Sequence, residues 1–197
     1  MYRGSTKEHS DPLMRTYLED LIYRLSETSE VRDRRFEFII LEDKTINAFA
    51  APGGIIGINL GMFLNTEREG ELASVMCHEL AHLSQRHFAR SQNRNSPLAN
   101  ALMILGSIAV AAASRNPEAI LIAPAAMQQM SINYTRSNEK EADRIGFNNL
   151  VKAGFDPNDM TMMFQRMQDK YQNEDSEQFS YLMTHPLPVS YTHLTLP

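Results

Sequence analysis

The pattern of hydrophobic and polar positions divides the chain into helical stretches around one short β-rich region. After Ser10-Asp11-Pro12, a sequence typical of a helix start, six apolar residues share one helical face: Leu13, Tyr17, Leu18, Leu21, Ile22 and Leu25. A second stripe lies between Glu71 and Arg90: Leu72, Val75, Met76, Leu80 and Leu83. Residues 131–150 and 158–171 are also predicted to be helical. Each stretch is expected to pack one face against a core.

The β-rich region lies between Phe36 and Leu64. Arg35–Leu41 is rich in the aromatic and β-branched residues that favour strands. Two shorter strands are predicted at Asn47–Ala50 and Ile55–Asn59, joined by the turn-forming Pro52-Gly53-Gly54. One interpretation is a plain hairpin, and another is a sheet edge beside a functional site, where an extended peptide could add as a strand. The whole pattern predicts a mainly helical α+β fold with a small sheet of about three or four strands.

Residues 98–130 form the most apolar part of the chain. No charged residue occurs from Asn95 to Ser114, and a second apolar run follows the polar break at 115–118. A membrane span needs about 20 strongly apolar residues, and these runs are borderline in length and diluted by small and polar residues. The favoured interpretation is a helical hairpin packed on or over a cleft. The alternative is a surface for peripheral membrane contact or for a partner.

Composition and charge narrow the classes of function. A length of 197 residues suits one domain that buries its own core. The net charge of −5 and the lack of a basic block argue against nucleic-acid binding. The single cysteine, Cys77, excludes an internal disulfide and a Cys-rich zinc site. The first residues lack the apolar segment of a secretory signal, and residues 1–11 are expected to form a flexible polar terminus.

Candidate chemistry concentrates in the helix predicted from Glu71 to Arg90, which contains the H-E-x-x-H sequence His78-Glu79-Leu80-Ala81-His82. Helical residues four apart differ by about 40° in direction, so His78 and His82 share a face and could bind one Zn²⁺. Glu79, on an adjoining flank, could polarise a metal-bound water. His87 lies about 140° from this face in a continuous helix and is expected to be structural or on the surface. The alternative is a surface helix with coincidental histidines.

A catalytic zinc ion usually takes three protein ligands and leaves one position for water, so a further ligand must come from elsewhere. Glu139 and Asp143, four residues apart on one predicted helical face, are the best-spaced acidic pair after the apolar runs. One could bind the metal while the other orients a ligand histidine. The alternative is a solvated charged face that includes Glu141, which points away from Glu139.

Four motifs, NAFAAPGG, HELAH, NEKEAD and THPLP, follow one another along the chain. In this combination the chain resembles the gluzincin metallopeptidases of the CAAX-prenyl-endopeptidase and HtpX type. Within that family it is most similar to the soluble BepA-like branch of protease-chaperones. The resemblance covers nearly the whole chain and implies a zincin-like metallopeptidase domain at 12–189 that binds one Zn²⁺ per chain.

The resemblance also implies roles for individual residues. It implies three metal ligands: His78, His82 and Glu139. Glu79 matches the general base, and Asp143 matches an aspartate that orients a ligand histidine. His185, in the His-Pro motif, matches a histidine near the metal. There it would either stabilise the oxyanion or occupy the fourth coordination position and hold the enzyme shut.

Substrates and location are implied in the same way. The resemblance implies cleavage of unfolded or misassembled envelope proteins in the periplasm of a Gram-negative bacterium, with the outer-membrane assembly machinery as a partner. An alternative is a chaperone-like or latent binding module, gated by His185 and the apolar residues 98–130. The family's transmembrane helices and the branch's C-terminal tetratricopeptide domain are not in this sequence. Residues 190–197 depart from the family pattern and are expected to mark either a truncation or an atypical tail of foreign origin.

Overall fold

A computed structural model of the protein describes residues 7–94, 119–173 and 185. Helices surround a small sheet in the order α1 (Pro12–Thr28), β1 (Glu37–Leu41), β2 (Ala48–Ala51), β3 (Ile55–Asn59), α2 (Leu60–Leu64), α3 (Glu69–Ser84), α4 (His87–Arg94), α5 (Ala119–Lys152) and α6 (Asn158–Asn173). The predicted α+β class, mainly helical with a small sheet, is confirmed. Within the described ranges the sheet has three strands.

The strand order is β1-β3-β2, with β3 parallel to β1 and antiparallel to β2. The predicted hairpin is therefore present as β2 and β3. Its turn requires glycine, because Gly53 and Gly54 both have positive φ angles, of 92° and 83°. A Cβ atom on Gly54 would also collide with the carbonyl oxygen of Arg35. This turn places β2 beside α3.

The residues before α1 pair with the sheet. The backbone N–H of His9 donates to the carbonyl of Ile40 at 2.7 Å, and the N–H of Glu42 donates to the carbonyl of Lys7 at 2.8 Å. Asp11 then caps α1 by accepting a hydrogen bond from the N–H of Leu13 at 2.8 Å. Residues 7–9 therefore pair with β1 and the residue after it, and the flexibility of the terminus stays a prediction. Residues 1–6 lie outside the described residues.

Helix α3 is the central element of the fold. Every residue from Gly70 to Ala81 is buried, so the helix is covered on all sides rather than along one stripe as predicted. Its neighbours are α1, α5, α6 and β2. Its core contacts come from six side chains: Leu72, Ala73, Val75, Met76, Cys77 and Leu80. A helix buried this fully must satisfy each of its polar side chains within the protein.

The apolar stretch 98–130 is described only in its second half. Residues 119–130 form the start of α5, which continues without interruption through Glu139 to Lys152. The helix predicted to begin at Ser131 therefore begins at least twelve residues earlier, at Ala119. The first arm of the predicted hairpin lies outside the described residues. Among the helices that are described, none is long and apolar enough to cross a bilayer.

Asn149 connects three helices behind the candidate site. Its amide nitrogen donates to the carbonyl of Leu25 at 3.1 Å and to Cys77 Sγ at 3.4 Å, and its amide oxygen accepts from Thr28 Oγ1 at 2.8 Å. Burial raises the pKa of the Cys77 thiol, which stays protonated. Cys77 is therefore a buried core residue, and the hydrogen bonds of Asn149 tie α1 and α3 to α5.

We expect Asn149→Ala to lower the free energy of unfolding by about 1–3 kcal/mol, because it leaves buried polar partners without hydrogen bonds. Urea unfolding followed by circular dichroism measures the change. Asn148→Ala is the matched control, because Asn148 is the exposed neighbour on the same helix and its loss should change stability by less than about 0.5 kcal/mol. Equal effects of the two substitutions would contradict this account of Asn149.

Candidate metal centre

Helix α3 supplies two imidazoles and one carboxylate to the site. His78 and His82 lie one turn apart, and their Nε2 atoms are 2.9 Å from each other. His78 and Glu79 are both 2% exposed. The shared face expected from the four-residue spacing is therefore present, and it points into the protein. The alternative of a surface helix with coincidental histidines is wrong.

Helix α5 and the segment at His185 complete the cluster. Glu139 Oε2 lies 3.3 Å from His78 Nε2, and Glu139 Oε1 lies 3.5 Å from His82 Nε2. His185 Nδ1 lies 2.9 Å from Glu139 Oε2 and 3.3 Å from His78 Nε2. One donor atom from each of these four residues falls within 4.8 Å of all the others. The structure thus brings the four side chains together from three separate parts of the chain.

This donor set fits a zinc ion. Three imidazole nitrogens and one carboxylate oxygen are ligands that zinc prefers, and a tetrahedral ion with bonds near 2.0 Å requires donors about 3.3 Å apart. Five separations between donor atoms, from 2.9 to 3.5 Å, lie around that value. Burial opposes the charged form of Glu139, but hydrogen bonds from the three histidines hold the pKa of its carboxyl well below its usual range.

Asp143 lies behind the cluster rather than in it. Its Oδ1 is 3.0 Å from Nδ1 of His78, the ring nitrogen that points away from the other donors. Burial alone would lower the pKa of His78, but the carboxylates of Asp143 and Glu139 raise it to about 10. A carboxylate at Nδ1 keeps the hydrogen on that nitrogen and leaves Nε2 free to bind a metal. The geometry therefore separates the two acidic residues, with Glu139 facing the donors and Asp143 facing the back of His78.

The two oxygens of Glu79 have different surroundings. Oε2 accepts a hydrogen bond from the backbone N–H of Ala50 in β2 at 3.0 Å. Oε1 is buried with no hydrogen-bond partner among the described residues, and His185 Nε2 lies 3.6 Å from it. A buried carboxylate oxygen without a partner is costly, so this atom is placed to interact with a water or substrate group.

Gly146 explains how α5 comes close enough to α3. A Cβ atom at this position would lie 3.0 Å from both the Cα and the backbone N of His78, and 3.1 Å from the backbone carbon of Cys77. Residues 139, 143 and 146 fall on one helical face, so the glycine sets the approach of the face that carries both carboxylates. Sequence reasoning missed this residue, although a glycine inside a helix that follows two spaced acids is a usable signal.

Of the two roles expected for His87, the surface position is wrong, and so is the angle of about 140° from the ligand face. Helix α3 ends at Ser84, and Arg86 has a positive φ of 55°, which breaks the single helix expected from 71 to 90. The break turns His87 back towards the site, where it is 4% exposed and its Nδ1 lies 2.8 Å from Nδ1 of His82. Its Nε2 lies 2.9 Å from Glu141 Oε2. Glu141, expected to face away, is therefore connected to the site through His87.

A cleft of about 1320 Å³ runs past the cluster. Its walls include the β2 strand and its turn, the junction of α3 and α4, and the side chains of Glu79, Glu139 and His185. Among the described residues β2 pairs only with β3, so its other edge is available to this cleft. The cleft is thus large enough and suitably lined for an extended chain.

Comparison with known proteins decides between the interpretations of this cluster. The model of peptidase family M48 matches residues 12–190. The chain belongs to this family. The family match and the relatives described next confirm the resemblance to metallopeptidases and to their BepA-like branch. M48 peptidases depend on zinc in general, in agreement with the donor set.

Several curated relatives match nearly all of the chain. It is 44% identical over 193 residues to a Vibrio cholerae serotype O1 protein provisionally named beta-barrel assembly-enhancing protease. It is 39% identical over 197 residues to the beta-barrel assembly-enhancing protease of Escherichia coli K12. These matches cover 95% of this chain but only 40% and 39% of the relatives. A mitochondrial metalloendopeptidase OMA1 from Schizosaccharomyces pombe is 28% identical over 94% of this chain and 55% of its own length.

We expect Gly146→Ala to weaken zinc binding by roughly tenfold, the effect typical of disturbing the support of a metal ligand. The added methyl group would press against the backbone of His78 and move α5 outward. Competition with a chromophoric chelator measures the affinity, and the exposed Asn148→Ala on the same helix is the control. Within a helix, alanine is more favourable than glycine by about 1 kcal/mol. Weaker zinc binding by Gly146→Ala would therefore not result from a loss of helix stability. Unchanged affinity would show that the close approach at Gly146 is not needed.

Proposed function

We propose that residues 12–189 form a zinc-dependent endopeptidase domain that binds one Zn²⁺ per chain and hydrolyses peptide bonds. The observation that carries the proposal is the convergence of four metal donors beside the unpartnered Oε1 of Glu79, at the wall of an open cleft. Membership of peptidase family M48 supports the same reaction class. A structural zinc site fits less well, because such sites are usually closed and rich in cysteine.

In this proposal His78, His82 and Glu139 hold the metal. Bound zinc would supply Lewis acidity, lowering the pKa of a coordinated water towards about 7 and polarising the scissile carbonyl. Asp143 keeps His78 in the tautomer that can ligate. Glu79 accepts the proton of the attacking water at Oε1 and passes it to the leaving amine. The hydrogen bond from Ala50 to Oε2 holds the carboxylate in place during both transfers.

In this proposal the peptide substrate binds along the edge of β2. An extended peptide aligned along this edge would form backbone hydrogen bonds that do not depend on its sequence. Ala50 lies on this edge and contacts Glu79, so the bound peptide would pass directly in front of the base. Binding of this kind favours unfolded segments, because a folded strand already uses its backbone groups.

We propose unfolded or misassembled envelope proteins as the substrates, in the periplasm of a Gram-negative bacterium. The names and organisms of the bacterial relatives support this proposal, and they support the outer-membrane assembly machinery as a partner. The chain spans about two fifths of the length of those relatives, so the proposal concerns the peptidase part of such a protein. Peripheral membrane contact through residues 98–130 remains a further prediction.

A second candidate is a latent form of the same domain that acts mainly as a binding module. It is favoured by His185, whose Nδ1 lies among the metal donors rather than beside them. In that position the ring would fill the coordination place that water or substrate needs. The alternative, in which His185 stabilises the oxyanion, requires the ring to donate to substrate instead. Removal of the ring distinguishes these two roles.

Zinc content tests the metal site directly. We expect purified wild-type protein to contain one zinc per chain by plasma mass spectrometry, and Glu139→Gln to lose it or bind it far more weakly. Full retention of zinc by Glu139→Gln would exclude Glu139 as a ligand and point to His185. The absence of zinc from wild type after loading would remove the peptidase proposal.

We expect Glu79→Gln to keep its zinc but to lower the rate of hydrolysis by roughly 10²- to 10⁴-fold, since the base is lost while the ligands remain. Cleavage of a fluorescently labelled unfolded protein measures the rate, and plasma mass spectrometry measures the metal. His78→Ala is the comparison variant and should lose both. A Glu79→Gln protein that still cleaves at the wild-type rate would overturn the assignment of the base.

We expect His185→Ala to cleave the same unfolded substrate faster than wild type, because the fourth position becomes available to water and substrate. A chelator should abolish the added activity. A lower rate with unchanged zinc content would instead assign His185 to oxyanion stabilisation and would argue against the latent form.

A further inference from the structure

A hydrogen-bonded chain of side chains leads away from His82 on the side opposite the metal donors. His82 Nδ1 lies 2.8 Å from His87 Nδ1, and His87 Nε2 lies 2.9 Å from Glu141 Oε2. Arg90 reaches the same carboxylate oxygen through two guanidinium nitrogens, at 3.3 and 3.4 Å. Arg90 also donates to the backbone carbonyl of Gln85 at 3.2 Å, within the break between α3 and α4. These hydrogen-bonded side chains therefore connect α3, α4 and α5.

The direction of these hydrogen bonds follows from the orientation of His82. Its Nε2 points at the other donors, 2.9 Å from His78 Nε2 and 3.5 Å from Glu139 Oε1, so a ligating ring must carry its hydrogen on Nδ1. Nδ1–H of His82 then donates to Nδ1 of His87. A neutral ring that accepts at Nδ1 carries its hydrogen on Nε2, which donates to Glu141. Each of the two rings has one donor nitrogen and one acceptor nitrogen in the required place, and the carboxylate of Glu141 accepts at the end.

The two ligand histidines differ in their support. His78 has a direct carboxylate partner at Nδ1, Asp143, at 3.0 Å. At Nδ1 of His82 the described residues place His87 instead, and the carboxylate of Glu141 stands one ring further away. A ligand histidine needs an acceptor at its outer nitrogen to fix its tautomer and direction.

We propose that His87 is a positioning residue that extends the carboxylate of Glu141 to His82 and so prepares His82 to bind the metal. The inference rests on the proposed function, because it assumes that His82 is a ligand. It adds a residue pair, His87 and Glu141, whose loss weakens metal binding without removing any ligand. We call the path from His82 through His87 to Glu141 the relay. Arg90 holds the carboxylate of Glu141 at its outer end.

A role of His87 in packing alone is an alternative to hydrogen bonding. Two substitutions of His87 distinguish these roles. His87 is 4% exposed, and its ring meets that of His82 edge to face with centroids 4.8 Å apart. His87→Leu fills much of the same space but neither accepts nor donates a hydrogen bond. His87→Gln keeps one acceptor and one donor. A packing role predicts better tolerance of leucine, and the relay predicts better tolerance of glutamine.

The experiment measures zinc affinity by competition with a chromophoric chelator on the full chain. We expect His87→Leu to bind zinc roughly 10- to 100-fold more weakly than wild type, and His87→Gln to recover most of that loss. Wild-type affinity in His87→Leu, or equal losses in the leucine and glutamine variants, would overturn the relay. Absence of zinc binding by wild type would instead be a failure of the proposed function.

A double-mutant cycle separates the relay from the simple attraction of a negative charge. We expect Glu141→Ala to weaken zinc binding in the wild-type background and to have little further effect when His87 is already leucine. Equal effects in both backgrounds would show that Glu141 acts through its charge alone and would overturn the proposal. Lys140→Ala, at the exposed neighbour on α5, is the control and should leave affinity unchanged.

Ring tautomers provide a readout that does not depend on affinity or activity. In ¹⁵N-labelled zinc-loaded protein, two-bond nitrogen–proton spectra should show the hydrogen of His82 on Nδ1 and that of His87 on Nε2. The opposite tautomer at His87 would overturn the relay. Glu141 is partly exposed, so Glu141→Ala is expected to fold. If His87→Leu does not fold, Glu141→Ala is the variant that tests the relay. In that variant the His87 ring should no longer hold a single tautomer.

Discussion

The close approach of α3 and α5 at Gly146 is the constraint on which the site depends. The two helices meet where a methyl group on residue 146 would lie only 3.0 Å from the backbone of His78. At this spacing Glu139 and Asp143 reach opposite nitrogens of the same imidazole, at 3.3 and 3.0 Å. A wider separation would place water between these groups and weaken their interaction. The packing of two helix backbones thus sets the positions of the metal donors.

Burial of the site explains why most of its polar groups have hydrogen-bond or ion-pair partners. An α3 helix covered on all sides carries His78 and Glu79 in its interior, where unpaired polar atoms are costly. Two carboxylates and the backbone N–H of Ala50 offset most of that cost. Two side-chain oxygens of the site have no hydrogen-bond partner among the described residues: Oε1 of Glu79, which faces the cleft, and Oδ2 of Asp143. In the proposed mechanism, Oε1 of Glu79 is the atom that accepts the proton of the attacking water.

Much of this arrangement could be predicted from the sequence, because it follows from helical periodicity. The spacing of His78 and His82 defines a shared face, and the spacing of Glu139 and Asp143 defines a second. The division of labour between the two carboxylates was left open by the residues, since periodicity gives a face but not a distance. The family resemblance implied that division, and the structure agrees with it by placing Glu139 at Nε2 of His78 and Asp143 at Nδ1.

The misjudged residues lie where periodicity is interrupted. The angle assigned to His87 assumed one helix from 71 to 90, whereas Arg86 takes a positive φ and starts a new helix. No glycine or proline marks this break, so sequence alone gave no signal for it. Because of this break, residues of α5 approach the two histidines of α3 from different sides. Glu139 and Asp143 face His78, while Glu141, about 200° from Glu139 on the helix, reaches His82 only because α4 places His87 between them.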